Sequence, residues 1–438
     1  MTKTRHSKQP EYNYKPWLIW GLGCLFYFYE CLLQVSPSVM SAELMRDFSV
    51  TSHTLGILSG IYFYSYAGMQ LPCGVMTDHF GPRRLLTIAT TICALSTIAF
   101  GLTENFFMAC TARLMIGFGS SFAVVGTLKL ASNWFPAHRF AFLTGMMVTL
   151  GMLGAIFGEA PLALLIDHYG WRHSMLIMGC IGLLVALLIF IFTKDHGTHV
   201  YKGAPEEVIE EGTLGQRLLI LLRNKQLWLV ALFGGLMYTA TPVICGLWGV
   251  PFLMLSMHLS KAVSANYISL VLFGWAVAGP FWGIFSNRIG LRKPPLYIGC
   301  VGALICSSLI IFGAIHTKFI VQILLFAFGI FSAGFLPAFA LAKELSNQKY
   351  VATALSFMNM MNMVGIALVQ PTVGFILDGL WSGQMHDQVR VYTVANYQMA
   401  LAILPIGMFI ALLLLPMIRE TYCKAAVKWV ISYEKALY

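Results

Sequence analysis

Apolar residues run along this chain in long stretches, and polar residues gather in the gaps between them. A helix needs about 20 mostly apolar residues to cross a bilayer. Twelve stretches reach that length: 17–40, 54–76, 85–103, 106–130, 139–164, 174–193, 227–254, 262–286, 295–315, 319–342, 350–377 and 396–417. Barrel strands would be about 10 residues long with strict alternation. These stretches are apolar on every face, so the pattern predicts an all-α membrane protein of twelve transmembrane helices.

Composition agrees. The 438 residues are 58% hydrophobic and 11% charged, against about 25% charged in soluble domains. So few charges exclude both a soluble enzyme and a disordered chain. The first apolar run is too long for a signal-peptide core, and no small-residue cleavage site follows it. Ten cysteines are present, nine of them within spans, where they read as small buried apolar residues. No Cys-x-x-Cys pair points to metal or redox chemistry, and no cofactor is implied.

Charge placement gives the orientation. Of 28 Lys and Arg, only Arg46, Arg172, Lys261, Lys318 and Arg390 fall on one side of the expected membrane, and Arg113 and Lys129 fall within the fourth span. The rest lie on the side of the chain ends. Basic residues collect in cytoplasmic segments, so both termini are expected in the cytoplasm. The net charge of +10 then answers an anionic inner leaflet and carries no case for nucleic acid.

The expected organisation is a tail (1–16), a six-helix bundle (17–193), a cytoplasmic linker (194–226), a second six-helix bundle (227–417) and a tail (418–438). The linker holds Glu206, Glu207, Glu210 and Glu211 and ends in a short amphipathic run, 213–225, expected to lie on the membrane surface. The bundles repeat. Gly74, Asp78, Gly81, Arg83 and Arg84 after the second span match Gly283, Asn287, Gly290, Arg292 and Lys293 after the eighth, each pair 209 residues apart. Lys129-Leu-Ala-Ser132-Asn133 is echoed by Lys343-Glu-Leu-Ser346-Asn347. A duplicated six-span unit explains both. Glycines in the first motif suit close approach and a tight turn. Asp78 can cap a helix or pair with Arg83 or Arg84, forming a cytoplasmic clasp that gates the two conformations. Asn287 replaces the acid in the second copy, so that clasp is expected to be weaker.

These motifs, with Arg113-Leu-Met-Ile-Gly117-Phe-Gly119 in the fourth span, resemble the major facilitator superfamily over essentially the whole chain. The resemblance implies two pseudo-symmetric bundles around a central site, working by alternating access. His79 departs from the usual Arg or Lys of the loop motif. The fifth span carries Gly151, Gly154, Gly158, Glu159 and Pro161 in place of the antiporter pattern, which weighs against drug export. The stretches 27–40, 128–136 and 158–161 are more narrowly similar to bacterial relatives of lysosomal dipeptide transporters.

Charges inside spans cost about 2.5–3.5 kcal/mol each on insertion scales, so each needs a reason. At about 1.5 Å per residue, Glu30 lies near mid-membrane. Arg113 and Glu159 both lie about 10 Å from the outer edge, where an ion pair between them is expected, either structural or opened by solute or proton. The resemblance puts the first span at the cavity, where Glu30 can bind an amine or serve as the proton-coupling site. Lys129 either snorkels to the cytoplasmic edge or binds an anion, with Lys343 as its counterpart. Tyr62 and Tyr66 share a helix face near the depth of Glu30. Gln34, Tyr238, Trp248, Asn359 and Asn362 are further polar or aromatic candidates for substrate contact, although packing is the plainer role for buried aromatics.

Nothing in the chain suggests primary energy input, since no phosphate-binding Gly-x4-Gly-Lys loop is present. The reading is a transporter of a small-molecule polar solute, best an amino acid or short peptide, with protons as a candidate coupling ion. Organic-anion or siderophore transport, drug efflux and a non-transporting receptor are the alternatives. The chain is expected to work as a monomer in a bacterial inner membrane, with the lipid bilayer as its other partner.

Overall fold

The structure is a computed structural model. It describes residues 14–136, 139–195, 223–313, 317–346, 351–387 and 389–423. Most of the first tail, most of the linker with most of its amphipathic run, and most of the second tail lie outside the described residues.

The first part of the chain forms α1 (Lys15–Val35), a short α2 (Ser41–Asp47), α3 (Ser52–Phe80), α4 (Pro82–Leu102), α5 (Phe106–Ser120), α6 (Phe122–Trp134), α7 (Phe140–Phe157) and α8 (Ala160–Phe192). The second part forms α9 (Lys225–Val243), a π-helical turn (Ile244–Trp248), α10 (Gly249–Met257), α11 (Lys261–Ile289), α12 (Lys293–Phe312), α13 (Lys318–Ser332), α14 (Pro337–Glu344), α15 (Val351–Gly379), α16 (Val394–Leu401) and α17 (Ile403–Leu414). A two-residue antiparallel hairpin, Met385–His386 with Val389–Arg390, is an addition to the expected all-helical chain.

Ten segments among the described residues are long and apolar enough to cross a membrane. One of them, Phe142–Phe192, has 51 residues and is interrupted at Gly170, whose φ of +77° no helix interior adopts. The expected second span lies on α3, which is not among the ten. Several expected single spans are jointed helices. The fourth breaks at Ser121, and the seventh carries Pro242 and the π turn.

Burial on α8 shows why these helices need lipid. Ile177, Ile181, Leu184, Leu187 and Ile191 are exposed, and Met175, Gly179, Gly182, Val185 and Ile189 are buried. Both sets recur every three to four residues, the spacing of one helix face. An apolar face left open this way is stable only against an apolar solvent. Cys180 lies on the exposed side, a departure from its expected burial, and the described cysteines are all free.

The two parts meet along two seams. One joins α11 to α7 and α8, and the other joins α3 to α15. In the second the backbones nearly touch. A Cβ added at Gly374 would lie 2.2 Å from the Ser52 carbonyl oxygen, and one at Gly56 would lie 2.7 Å from that of Gln370.

Candidate functional site

Three helices of the first part bring Glu30, Tyr62 and Arg113 together. Glu30 on α1 is buried, and its Oε1 accepts a hydrogen bond from the Tyr62 hydroxyl on α3 at 2.6 Å. Its Oε2 accepts from Cys31 Sγ at 3.3 Å. Tyr66 stands one turn along α3, its ring centroid 6.0 Å from that of Tyr62. The guanidinium of Arg113 on α5 lies over the Tyr62 ring, 5.0 Å from its centroid. Tyr62 thus serves the acid with its hydroxyl and the cation with its ring face, an attraction worth about 2 kcal/mol where water is excluded.

The local sequence prepares the third contact. In a continuing helix the Leu33 carbonyl would accept from the backbone N–H of residue 37, but Pro37 has none. The chain tightens there into a 3₁₀ turn, Ser36–Val39. The freed Leu33 oxygen accepts from Arg113 Nη1 at 3.0 Å and from Ser36 Oγ at 2.9 Å. Arg113 is 1% exposed, and its Nε and Nη2 have no hydrogen-bond partner.

The expected Arg113–Glu159 ion pair is not formed. Glu159, between α7 and α8, is fully buried, accepts from Ser38 Oγ at 3.1 Å through Oε1, and leaves Oε2 without a partner. Depth along a helix fixes height and not direction, and Arg113 points to α1 and α3 instead.

In the second part, Trp248 is buried in the π turn and donates to the Gln370 carbonyl at 3.2 Å. Asn359 on α15 donates to Gln70 Oε1 on α3 at 2.9 Å, an amide bridge across the seam. Asn362, one turn on, is buried with Oδ1 unpartnered. Tyr238 packs against Phe335, ring centroids 5.4 Å apart. Gln34, Lys129 and Tyr238 are half-buried, whereas Lys343 is exposed on the last turn of α14. Its neighbour Glu344 faces inward instead, so no clamp on Lys343 is built here.

The repeated turns hold their helices by partners the sequence reading passed over. Gly81 and Gly290 adopt φ of +80° and +69°, conformations that favour glycine. Gly74 and Gly283 are not sites of close approach, since a Cβ on either would meet nothing within 4 Å. In the first copy, Asp195 Oδ1 accepts from the Arg83 backbone N–H at 2.8 Å, capping α4. Arg83 Nη2 donates to the Phe190 carbonyl at 2.8 Å, satisfying an acceptor left open at the end of α8. Arg84 is exposed. Of Asp78, only its backbone place on α3 is described.

The second copy, where Asn287 replaces the acid, holds a nearly buried ion pair. Arg292 Nη2 and Nε both reach Glu344 Oε1, at 2.6 and 3.1 Å, and Nη1 donates to Asn287 Oδ1 at 2.8 Å and Ser286 Oγ at 2.9 Å. The Thr421 hydroxyl donates to the same carboxylate. Leu130 stands where Glu344 does in the repeat, which is why comparing the turns alone missed this pair. Glu420 takes the role of Asp195. It accepts from the backbone N–H groups of Arg292 and Lys293, each at 2.8 Å, and from those of Thr421 and Tyr422. Burial works against the Glu420 charge, yet these donors hold its carboxyl below the usual range.

At the opposite end of the helices, charges bind one part to the other. Lys261 Nζ at the start of α11 lies 2.6 Å from Glu43 Oε1 on α2 and 2.8 Å from Asp167 Oδ1 on α8. On the other seam, Asp378 accepts from the His53 backbone N–H at 2.9 Å, from Tyr392 at 2.6 Å and from Arg390 at 3.1 Å.

The family model of the Major Facilitator Superfamily matches residues 22–368 and 243–422. The chain belongs to that superfamily. It is 23% identical over 401 residues to the probable sulfoacetate transporter SauU of Cupriavidus necator, covering 86% of this chain and 88% of the relative. It is 26% identical over 402 residues to a probable hexose phosphate transport protein of Chlamydia pneumoniae, covering 84% and 86%. A probable L-galactonate transporter of Escherichia coli is 24% identical over 47% of each chain. Among solved structures, a bacterial homologue of the human lysosomal transporter Spinster, inward-facing and unoccupied, superposes with a TM-score of 0.73 at 16% identity over 93% of this chain and 96% of that one. At that identity the likeness speaks for the fold. The chain is therefore a multi-pass integral membrane protein built as a transporter of small solutes.

Proposed function

We propose that this protein is a secondary transporter of a small organic anion, with Arg113 as the group that receives the anion. The observation that carries this is a buried guanidinium with two unpartnered nitrogens and no acid paired to it among the described residues. A buried charge needs a counter-charge, and a guanidinium matches carboxylate, sulfonate or phosphate oxygens in a fork. The relatives named for sulfoacetate, hexose phosphate and L-galactonate all carry solutes with such a group. The amino-acid or peptide reading needs Lys129 or Lys343 opposed to Glu30; Lys343 is exposed at the end of α14, and Lys129 is half-buried on α6. In the proposed reading the chain crosses the bilayer twelve times, reversing near Gly170, with both ends cytoplasmic. Glu30 is the coupling carboxyl, and the two repeated turns gate the cycle.

A thermal-shift assay on the purified protein tests the reading. Sulfoacetate, a hexose phosphate and galactonate are compared with glycine and a neutral dipeptide. Ligand at about 100 times its Kd adds about 2.7 kcal/mol to stability, so at least one anion should raise Tm, and Arg113→Gln should abolish the rise. Stabilisation by the dipeptide alone, or an anion effect untouched in Arg113→Gln, would sink the proposal. Glu30→Gln in proteoliposomes should then keep exchange of the identified anion and lose accumulation driven by a pH gradient.

A further inference from the structure

Glu159 has no place in the reading above, yet it is a fully buried carboxyl with one oxygen unpartnered. What surrounds it comes from both parts of the chain. Gly158 before it lies against Leu32 and Val35 of α1. Ser38 in the 3₁₀ turn supplies its one hydrogen bond. That turn rests on the π turn of the second part, and Cys245, a titratable side chain of the π turn, is near enough to Glu159 for their charges to interact. The next charges along α8 and α11, Asp167 and Lys261, are paired with each other, and Glu43 on α2 shares that pair. Arg113 is turned to Leu33 and Tyr62. Among the described residues, no Lys, Arg or His forms an ion pair with Glu159.

An ionised carboxylate in such a place costs several kcal/mol unless a cation or several donors face it, and here there is one hydroxyl. We propose that Glu159 is a proton-binding site governed by the joint between the two parts. It holds a proton while the joint is closed over it, and gives that proton to water at the outer face when the parts separate. The step is a plain acid dissociation, leaving carboxylate and hydronium. High external pH therefore favours the open joint, and acid favours the sealed state seen here. The inference rests on the alternating joint alone and not on the identity of the solute.

The test needs no solute. Glu104→Cys, on an outer loop of the first part, and Lys318→Cys, at the outer start of α13, carry spin labels in a background with Cys180→Ser and Cys423→Ser. Distances are measured by pulsed electron resonance from about pH 5 to about pH 9, a range that brackets a shifted carboxyl. With the proposal correct, a longer distance grows in with pH. The ratio of open to closed rises by up to about tenfold per pH unit, the limit for one proton. Glu159→Gln stays at the short distance throughout. Ser38→Ala, which keeps the carboxyl and removes its donor, moves the midpoint to higher pH. Infrared difference spectra of the sealed state should show a protonated-carboxyl band that Glu159→Gln lacks. A wild-type distance indifferent to pH overturns the proposal. So does a response kept in Glu159→Gln, or one lost only in Glu30→Gln, which would put the proton on α1.

Discussion

Tyr62 donates to Glu30 at 2.6 Å, so the acid of the first span is answered by a neutral hydroxyl and not by a cation. The same ring carries Arg113 on its face. The two functions can be separated by substitution. Tyr62→Phe keeps the ring and should cost about 0.5–1.5 kcal/mol, the net worth of one hydrogen bond. Tyr62→Leu removes both and should cost more. Unfolding of the two variants in detergent, followed by Tm, checks the order; equal losses would mean that the ring face contributes nothing to holding Arg113.

Arg113 and Glu159 should behave as strangers. Breaking a buried ion pair by removing one member costs about 3–5 kcal/mol, and the double variant then recovers part of it. Here no pair exists. The effects of Arg113→Gln and Glu159→Gln on stability should add to within about 0.5 kcal/mol. A double-variant cycle measured by thermal unfolding decides, and recovery in the double variant would restore the pairing that the sequence suggested.

The Arg292–Glu344 contact is where the pair penalty belongs. Both side chains are nearly buried. Glu344→Gln should lower stability by about 3–5 kcal/mol. Arg83→Gln, which gives up bonds to a carbonyl at a more exposed position, should cost well under half as much. A similar drop in Tm for the two would show that the repeated turns are held alike.

Glu420 gives a pH signature. Its carboxyl is held below the ordinary range in the folded chain. Its contribution is therefore complete above the unfolded carboxyl value of about 4.3 and fades as pH falls through the lower folded value. The Tm difference between wild type and Glu420→Gln should be constant near neutrality and shrink on acidification. A difference that grows in acid would reverse the sign and refute the capping role.

Much of the fold could be read from the chain because membrane spans announce themselves by length and polarity. The repeat spacing likewise located the turns at Gly81 and Gly290, whose backbone geometry needs glycine. Depth reckoning set Glu30, Tyr62 and Tyr66 at one level, and the helices bring them together. It failed for Arg113 and Glu159, because rise per residue says nothing of rotation about the axis. Asp195, Glu344, Glu420, Gln70 and Asp378 escaped notice for another reason. Each sits far in sequence from the group it holds, and apolar patterning carries no record of pairing across helices. One signal was available: the expected sixth and twelfth spans are each followed within three residues by an acid, Asp195 and Glu420. Extending the repeat search past the turns would have found both.

The two acids also differ in when the ribosome delivers them. Asp195 leaves the ribosome directly after α8, so the turn at Arg83 can be fastened before α9 and the helices after it exist. Glu420 comes only after α17. Until that point the turn at Arg292 lacks the carboxylate that holds its two N–H groups. The turn of the first part can thus be fastened early in synthesis, and the turn at Arg292 waits for Glu420. A nascent chain stopped short of residue 420 would hold one fastened turn and one still open, the state in which a quality-control protease would meet it.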